Sequence, residues 1–168
     1  ARLPAREYLQ IVASTNFKQR ARKTLEYFHA DRLGYAVIGT PNRLEYDQGF
    51  FVKNGDGAAD IKPIAHLYKT QVYALARHLG LPARVIEKTP SADLFEGQTD
   101  EAELGFTYAQ VDALLELMVD QRYGEEELVA AGFEREFVRR IAARVASNQY
   151  KRLPPIIAKL SERTINHD

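Results

Sequence analysis

The stretch "GTPNRLEYDQGFFVKNGDGAADIKPIAHLYKTQ", residues 39–71, concentrates acids, lysines, glycines and prolines between two apolar segments. Just before its end of the chain, "YAVIGT" (35–40) is a short apolar run closing on Gly-Thr, which reads as a buried strand. Thr40 ahead of Pro41 reads as a helix N-cap with proline at the first helical position, so the strand end would feed a short helix over "PNRLEYDQ". Such a strand end offers backbone N–H groups, a hydroxyl and the positive end of a helix dipole, the arrangement that anionic phosphates prefer. Glu45, one turn into the helix, could turn an oxygen toward a Mg²⁺ ion on a triphosphate. Lys53, Asp56 and Asp60 bracket glycines that allow tight turns, and Lys69 comes early in the next helix, so the set suggests a phosphate and ribose pocket. The same residues also read as an Asn-Gly-Asp-Gly turn with solvated charges around it, and spacing alone does not choose between the two.

Outward from this stretch the helical signals dominate. "NFKQRARKTLEYFHADRLG" offers Asn16 as an N-cap, Phe17, Ala21, Leu25 and Phe28 as an apolar face, and Gly34 as a stop. Lys18, Arg20 and Arg22 would then lie in first turns, where they oppose the helix dipole, which points to an anion partner for Arg20. "HLYKTQVYALARHLGLP" places Leu67, Val72, Leu75, Ala76 and Leu79 on one face and stops at Gly80. Residues 87–105 lack periodicity and read as a surface loop with a short turn after Thr99. Thr107 and Gln110 have capping-box spacing, and two more helices follow, broken by Gly132 and Pro154. In "NQYKRLPP" (148–155), Lys151 and Arg152 stand at a helix end where cations complement the dipole. The final "SERTINHD" is expected to fray.

The chain has 168 residues, enough for one domain over 1–168 with a real core, and 23 basic residues balance 23 acidic ones. With no global field, neither nucleic acid nor an anionic membrane is an expected partner. The absence of cysteine excludes disulfides, thiolate metal sites and cysteine nucleophiles, and suits the cytoplasm. No apolar run is long enough to span a bilayer, and the four histidines show no metal-ligand spacing.

Six separated motifs occur in order: Asn16, Arg20 and Arg22 in N-x-x-x-R-x-R, "GTPNRLE" at 39–45, "GFFVKNGDGAADIKPI" at 49–64, "LYKTQV" at 67–72, "SADLFEGQTDEAELG" at 91–105 and "YKRLPP" at 150–155. Together they make the chain resemble the C-terminal part of the NAD⁺ synthetases, ATP pyrophosphatases of the N type. The resemblance implies an α/β fold with a parallel Rossmann-like sheet, helix-rich in this portion, and a homodimer whose interface helps form the dinucleotide site. It implies a reaction in which MgATP adenylates the nicotinate carboxylate of deamido-NAD and ammonia, free or from a glutaminase, displaces AMP. By motif, Thr40, Lys69 and Ser91 would contact ATP, Glu45 would bind Mg²⁺, and Arg20, Lys53, Asp60, Tyr150 and Lys151 would contact deamido-NAD. Residues 91–105 would act as a lid that excludes water from the adenylate. The family's Ser-Gly-Gly-x-Asp-Ser loop does not occur in these residues, and some members carry histidine where Tyr150 stands. The expectation is therefore a C-terminal portion that is inactive alone. Amidation of a different acceptor and a non-catalytic nucleotide-binding or dimerisation module remain alternatives.

Overall fold

Residues 3–158 are described by a computed structural model, and the "SERTINHD" tail lies outside the described residues. The first helix, α1, runs Ala5–Leu33, so it begins well before Asn16. The cause is local: residues 5–15 contain no Gly or Pro, Pro4 stands at the N-cap, and Tyr8 N–H already donates to Pro4 O at 3.0 Å. Arg20 and Arg22 are therefore mid-helix residues, and the dipole argument for them does not apply. The C-terminus is as expected, with Gly34 at φ 67° and Tyr35 N–H closing on Ala30 O at 2.9 Å.

Which face α1 buries is the reverse of the apolar pattern. Gln19, Lys23 and Ala30 are the buried residues, whereas Phe17, Leu25 and Phe28 are 70, 62 and 58% exposed. The polar side of the helix faces the body of the protein and its apolar stripe has no cover among the described residues.

The expected strand is reduced to one parallel bridge between Ile38 and Ile61. Gly39 N–H donates to Ile61 O and Asp60 N–H to Val37 O, at 2.7 and 3.0 Å, and the ladder goes no further. Pro41 on one side and Pro63 on the other end it, because neither has an N–H to donate. Val37 is buried while Ile38 is exposed, so the described residues hold a pair of extended segments and not a sheet.

After the bridge comes α2, Arg43–Gln48. Its N-cap is Asn42, not Thr40: Glu45 N–H donates to Asn42 Oδ1 and Asn42 N–H to Glu45 Oε2, each at 3.0 Å. The reciprocal pair settles two otherwise orphaned N–H groups, which a threonine two residues earlier could not reach. Asn42→Ala is expected to lower stability by about 1 kcal/mol in urea unfolding. The helix closes at Gly49, where φ is 62° and an added Cβ would stand 2.5 Å from Asn148 Cβ.

The core lies in the C-terminal half. Helices α3 (Lys69–His78), α4 (Ala83–Ile86) and α5 (Asp100–Leu104) precede α6 (Tyr108–Leu115), which runs into a π-helical turn over Glu116–Asp120. Then come α7 (Glu125–Ala130), α8 (Arg135–Ser147) and a 3₁₀ turn over Gln149–Lys151. The Thr107–Gln110 capping box forms as the spacing predicts. Leu44, Leu104, Val111, Leu114, Leu115, Leu128, Phe137, Val138 and Ile141 form one cluster, joined by Tyr68 and Tyr108. Each large aliphatic side chain buried there contributes about 1.5–3 kcal/mol. Leu44 sits in this cluster and so anchors α2, with Glu45 beside it, to α6 and α8. Tyr68 O–H donates to Asp120 Oδ2 at 3.0 Å while the Arg43 guanidinium pairs with the same carboxylate, fastening the starts of α2 and α3 to the π-helical turn.

Candidate active site

Lys69 is the first residue of α3, and its ammonium stands 3.6 Å from Glu45 Oε1. It also lies over the Tyr108 and Tyr73 rings at 4.9 and 5.8 Å from their centroids. Thr70 N–H donates to Asp112 Oδ2 at 2.8 Å, so a buried carboxylate from α6 caps the start of α3 and fixes where Lys69 begins. Burial pushes the Glu45 carboxyl above its ordinary value, against the opposing pull of Lys69 and of the Asn42 N–H. The pair is thus a half-buried cation and anion at the start of two helices.

Both residues line a cleft of about 470 Å³ together with Thr40, Ser91, Arg22, Lys23 and Asp100. All four residues assigned to ATP and metal are therefore brought together. Ser91 arrives on the segment before α5, which is held against α1: Arg22 donates to Ala92 O and Asp93 O at 2.8 and 2.9 Å, and Lys18 to Leu94 O at 2.6 Å. The turn expected after Thr99 is the one-turn helix α5, with Thr99 Oγ1 accepting from Ala102 N–H at 3.3 Å.

A second cleft, of about 490 Å³, shares Gln19, Phe50, Asp56 and Ala92 with the first, so the two adjoin. Lys151 lines it, donating to Gly49 O and Phe51 O at 2.8 and 3.1 Å; burial lowers its pKa against the pull of Asp56. Arg144 lines it too, its pKa lowered first by burial and then by Arg140, and it donates to Gln48 Oε1 at 3.3 Å. Gln48 Nε2 is fully buried with no acceptor among the described residues. Gln48, Arg144 and Lys151 bring donors to this cleft and Asp56, Glu103 and Gln98 bring acceptors, so it can meet a ligand that bears carbonyl or carboxylate oxygens on one side.

The remaining dinucleotide residues divide. Arg20 Nε donates to Lys53 O at 3.2 Å, and Lys53 Nζ to Tyr150 O and Leu153 O at 2.9 and 3.5 Å, so these three form one exposed cluster. Asp60 is apart: its carboxylate accepts from Val37 N–H at 2.7 Å and from Tyr27 O–H at 3.4 Å. Tyr27 and Arg20 are seven residues apart on α1, about 10 Å along its axis. The Asn-Gly-Asp-Gly run is indeed a turn, with Val52 N–H on Asp56 Oδ1 at 2.9 Å, and it also puts Asp56 into both clefts. In "YKR", Arg152 caps α8 by donating to Val145 O at 3.3 Å, as helix-end cations do, but Lys151 reaches the loop after α2 instead.

Mg²⁺ takes oxygen ligands and is commonly held by one or two carboxylates with substrate phosphates. Glu45 and Asp100 supply that donor chemistry in the first cleft, where Asp100 Oδ1 is buried without a hydrogen-bond partner among the described residues. Among the described residues no cluster of three or more His, Cys, Asp or Glu could hold a metal by itself, so a cation held by Glu45 and Asp100 would need further oxygens.

The family model described as NAD synthase matches residues 4–155. The chain belongs to the NAD synthase family. It is similar to the NH(3)-dependent NAD(+) synthetase of Rhizobium meliloti (strain 1021), 51% identical over 150 residues, which make up 88% of this chain and 45% of that protein. The counterpart in Trichlorobacter lovleyi is also 51% identical, over 91% of this chain and 56% of its own. Among solved structures it resembles the NMN synthetase of Francisella tularensis, with a TM-score of 0.75 and 33% identity over 89% of this chain and 58% of that one. The NH3-dependent NAD synthetase of Campylobacter jejuni gives a TM-score of 0.68 at 28% identity, over 86% and 54%. The chain thus spans about half the length of the curated relatives it matches.

The sequence did not single out Lys23, Gln48, Asp100, Asp112 or Arg144. Lys23, 7% exposed, bonds Glu26 at 2.5 Å and faces the first cleft. A signal existed for it: Gln19, Lys23 and Glu26 follow helical spacing on the side opposite Phe17 and Leu25. Asp100 and Asp112 looked like ordinary charges of a helix start and a helix face, and nothing local distinguishes them from solvated ones.

Proposed function

We propose that the chain forms part of an enzyme of NAD biosynthesis that amidates deamido-NAD with ATP and ammonia through an adenylated nicotinate. The observation that carries this is the adjoining of the two clefts at Gln19, Phe50, Asp56 and Ala92. Adenylation needs a carboxylate of one substrate beside the α-phosphate of another, and two clefts meeting at a common wall supply that geometry.

Lys69, with Arg22 and Lys23 nearby, offsets triphosphate charge in the first cleft. The Thr40 hydroxyl, which helix capping does not use, and the Ser91 hydroxyl, which accepts from Asp93 N–H at 3.1 Å and keeps its own proton to donate, would contact ATP. Glu45 would hold Mg²⁺, which when bound neutralises phosphate charge. The second cleft receives the nicotinate end through the Gln48, Arg144 and Lys151 donors. Arg20, Lys53 and Tyr150 hold an anionic part of the dinucleotide, and Asp60 accepts from hydroxyls about 10 Å away. Attack of the nicotinate carboxylate on the α-phosphate forms the mixed anhydride and releases pyrophosphate; attack of ammonia on its carbonyl then forms the amide bond, loses a proton and expels AMP, and the loop before α5 keeps water from competing. A second copy of the chain would cover the Phe17, Leu25 and Phe28 stripe, giving a homodimer.

One alternative acceptor has a specific observation behind it. The Francisella tularensis structure at 33% identity is titled an NMN synthetase, so a mononucleotide acid is the competing substrate. The test is amide formation from MgATP, ammonia and either deamido-NAD or nicotinate mononucleotide, using this chain together with any residues that precede it in its reading frame. Preference for deamido-NAD is the expected result. Preference for the mononucleotide would move the assignment to the shorter acceptor, and no turnover of either by folded protein would overturn it.

A further inference from the structure

Asp100 is 8% exposed, opens α5, and faces the first cleft beside Glu45 and Lys69. Its two oxygens are unequally engaged. Oδ2 accepts from Tyr108 O–H at 2.8 Å, whereas Oδ1 is buried with no hydrogen-bond partner among the described residues. An ionised carboxylate oxygen left unpaired in a protein interior is costly, and the usual compensation is a cation or a donor from a ligand. The cations lining the cleft are turned elsewhere: Lys69 to Glu45 and the two tyrosine rings, Arg22 to Ala92 O and Asp93 O, and Lys23 to Glu26.

We infer that Asp100 Oδ1 is a ligand-directed oxygen that joins Glu45 in holding a divalent cation with nucleotide phosphate, and that this makes closure of the loop before α5 depend on the cation. The second half follows from how Asp100 is mounted. Its N–H donates to Pro90 O at 3.0 Å, and Pro90, Ser91 and Ala92 form the wall of the same cleft. Glu45 belongs to the core-anchored side, because neighbouring Leu44 is buried in the main cluster. A cation shared between the two carboxylates therefore ties the Pro90–Ala92 wall to α2, adding to the Arg22 and Lys18 bonds that hold it to α1. Phosphate oxygens complete the shell, since two carboxylates fall short of a closed site.

The inference rests on reading the first cleft as a nucleotide site, and the experiment separates the two. Mn²⁺ is titrated, by electron paramagnetic resonance, into protein carrying a non-hydrolysable ATP analogue, and hydrogen exchange is followed over residues 88–105. Asp100→Asn keeps size and can still accept from Tyr108, while Tyr108→Phe removes that bond and leaves the carboxylate. The expected result is Mn²⁺ affinity about ten- to a hundredfold weaker in Asp100→Asn, with loss of Mn²⁺-dependent exchange protection, and near-unchanged affinity in Tyr108→Phe. Equal affinity in Asp100→Asn and the parent, both binding the analogue, would overturn the inference and leave the nucleotide reading standing. A loss in Tyr108→Phe as large as in Asp100→Asn would also overturn it, because the effect would then come from the structural hydrogen bond. Failure of the parent to bind the analogue would remove the nucleotide reading and the inference with it.

Discussion

Lys69→Ala is expected to lower the rate of amide formation about 10²- to 10³-fold while the protein stays folded. The magnitude is that of losing one preorganised charge from a water-poor site where phosphate charge builds up. The Lys69 side chain is only 18% exposed, but the fold should hold because the start of α3 is secured by other groups: Asp112 on Thr70 N–H and Gln71 Oε1 on Tyr68 N–H at 2.9 Å. The loss should fall mainly on kcat if the ammonium acts as charge accumulates, and on the KM for ATP if it serves binding alone. Steady-state kinetics with circular dichroism as a folding check distinguishes these. A Lys69→Ala protein with unchanged kcat and KM would remove the first cleft from the reaction. Lys69→Arg should recover only part of the rate, since a planar guanidinium cannot occupy the place of an ammonium between Glu45 and the Tyr108 ring.

Thr40, Glu45, Lys69 and Ser91 of the first cleft were named from the sequence by motif, whereas Lys23 and Asp100 beside them were not. Glu45 stands in a capping box, Lys69 opens a helix, and Ser91 lies on a loop without periodicity, so their surroundings are set largely by near neighbours. Even there the cap was misplaced by two residues, since Thr-Pro and Pro-Asn both offer starts and only Asn42 meets Glu45 at the three-residue spacing that closes the box. Arg20, Lys53 and Tyr150 were named by motif and do meet, but across 33 and 97 residues of separation that no periodicity reveals. Asp60 was named by motif with them; in the structure its backbone pairing with Val37 carries it toward Tyr27. The buried carboxylates Asp100 and Asp112 were illegible for a physical reason: an acid at a helix start is ordinary on a surface and costly in a core, and only tertiary packing says which applies. The sequence offered Phe17, Ala21, Leu25 and Phe28 as an apolar face of α1, and periodicity gives a face and not its destination: Phe17, Leu25 and Phe28 are exposed.

That last distinction sets up the other large effect. Ile141 on α8 is fully buried among Leu44, Leu115 and Val138, whereas Phe28 on α1 is more than half exposed. Ile141→Ala is expected to destabilise the chain by about 2–5 kcal/mol, the sum of lost transfer free energy and an unfilled cavity. Phe28→Ala, the larger excision, should change the stability of the dilute monomer by less than about 0.5 kcal/mol because it removes surface already in water. Urea denaturation at low protein concentration measures both. At high concentration the ranking should narrow if a second copy covers α1: the parent would gain stability with concentration, and Phe28→Ala would lose that gain. Sedimentation of the two proteins then reads the association directly. A Phe28→Ala chain that remains as stable as the parent at every concentration would mean that the stripe carries no self-association. A large loss in the dilute monomer would mean that α1 turns its apolar side inward in solution, and with it would fall the placement of Gln19 and Lys23 against the clefts.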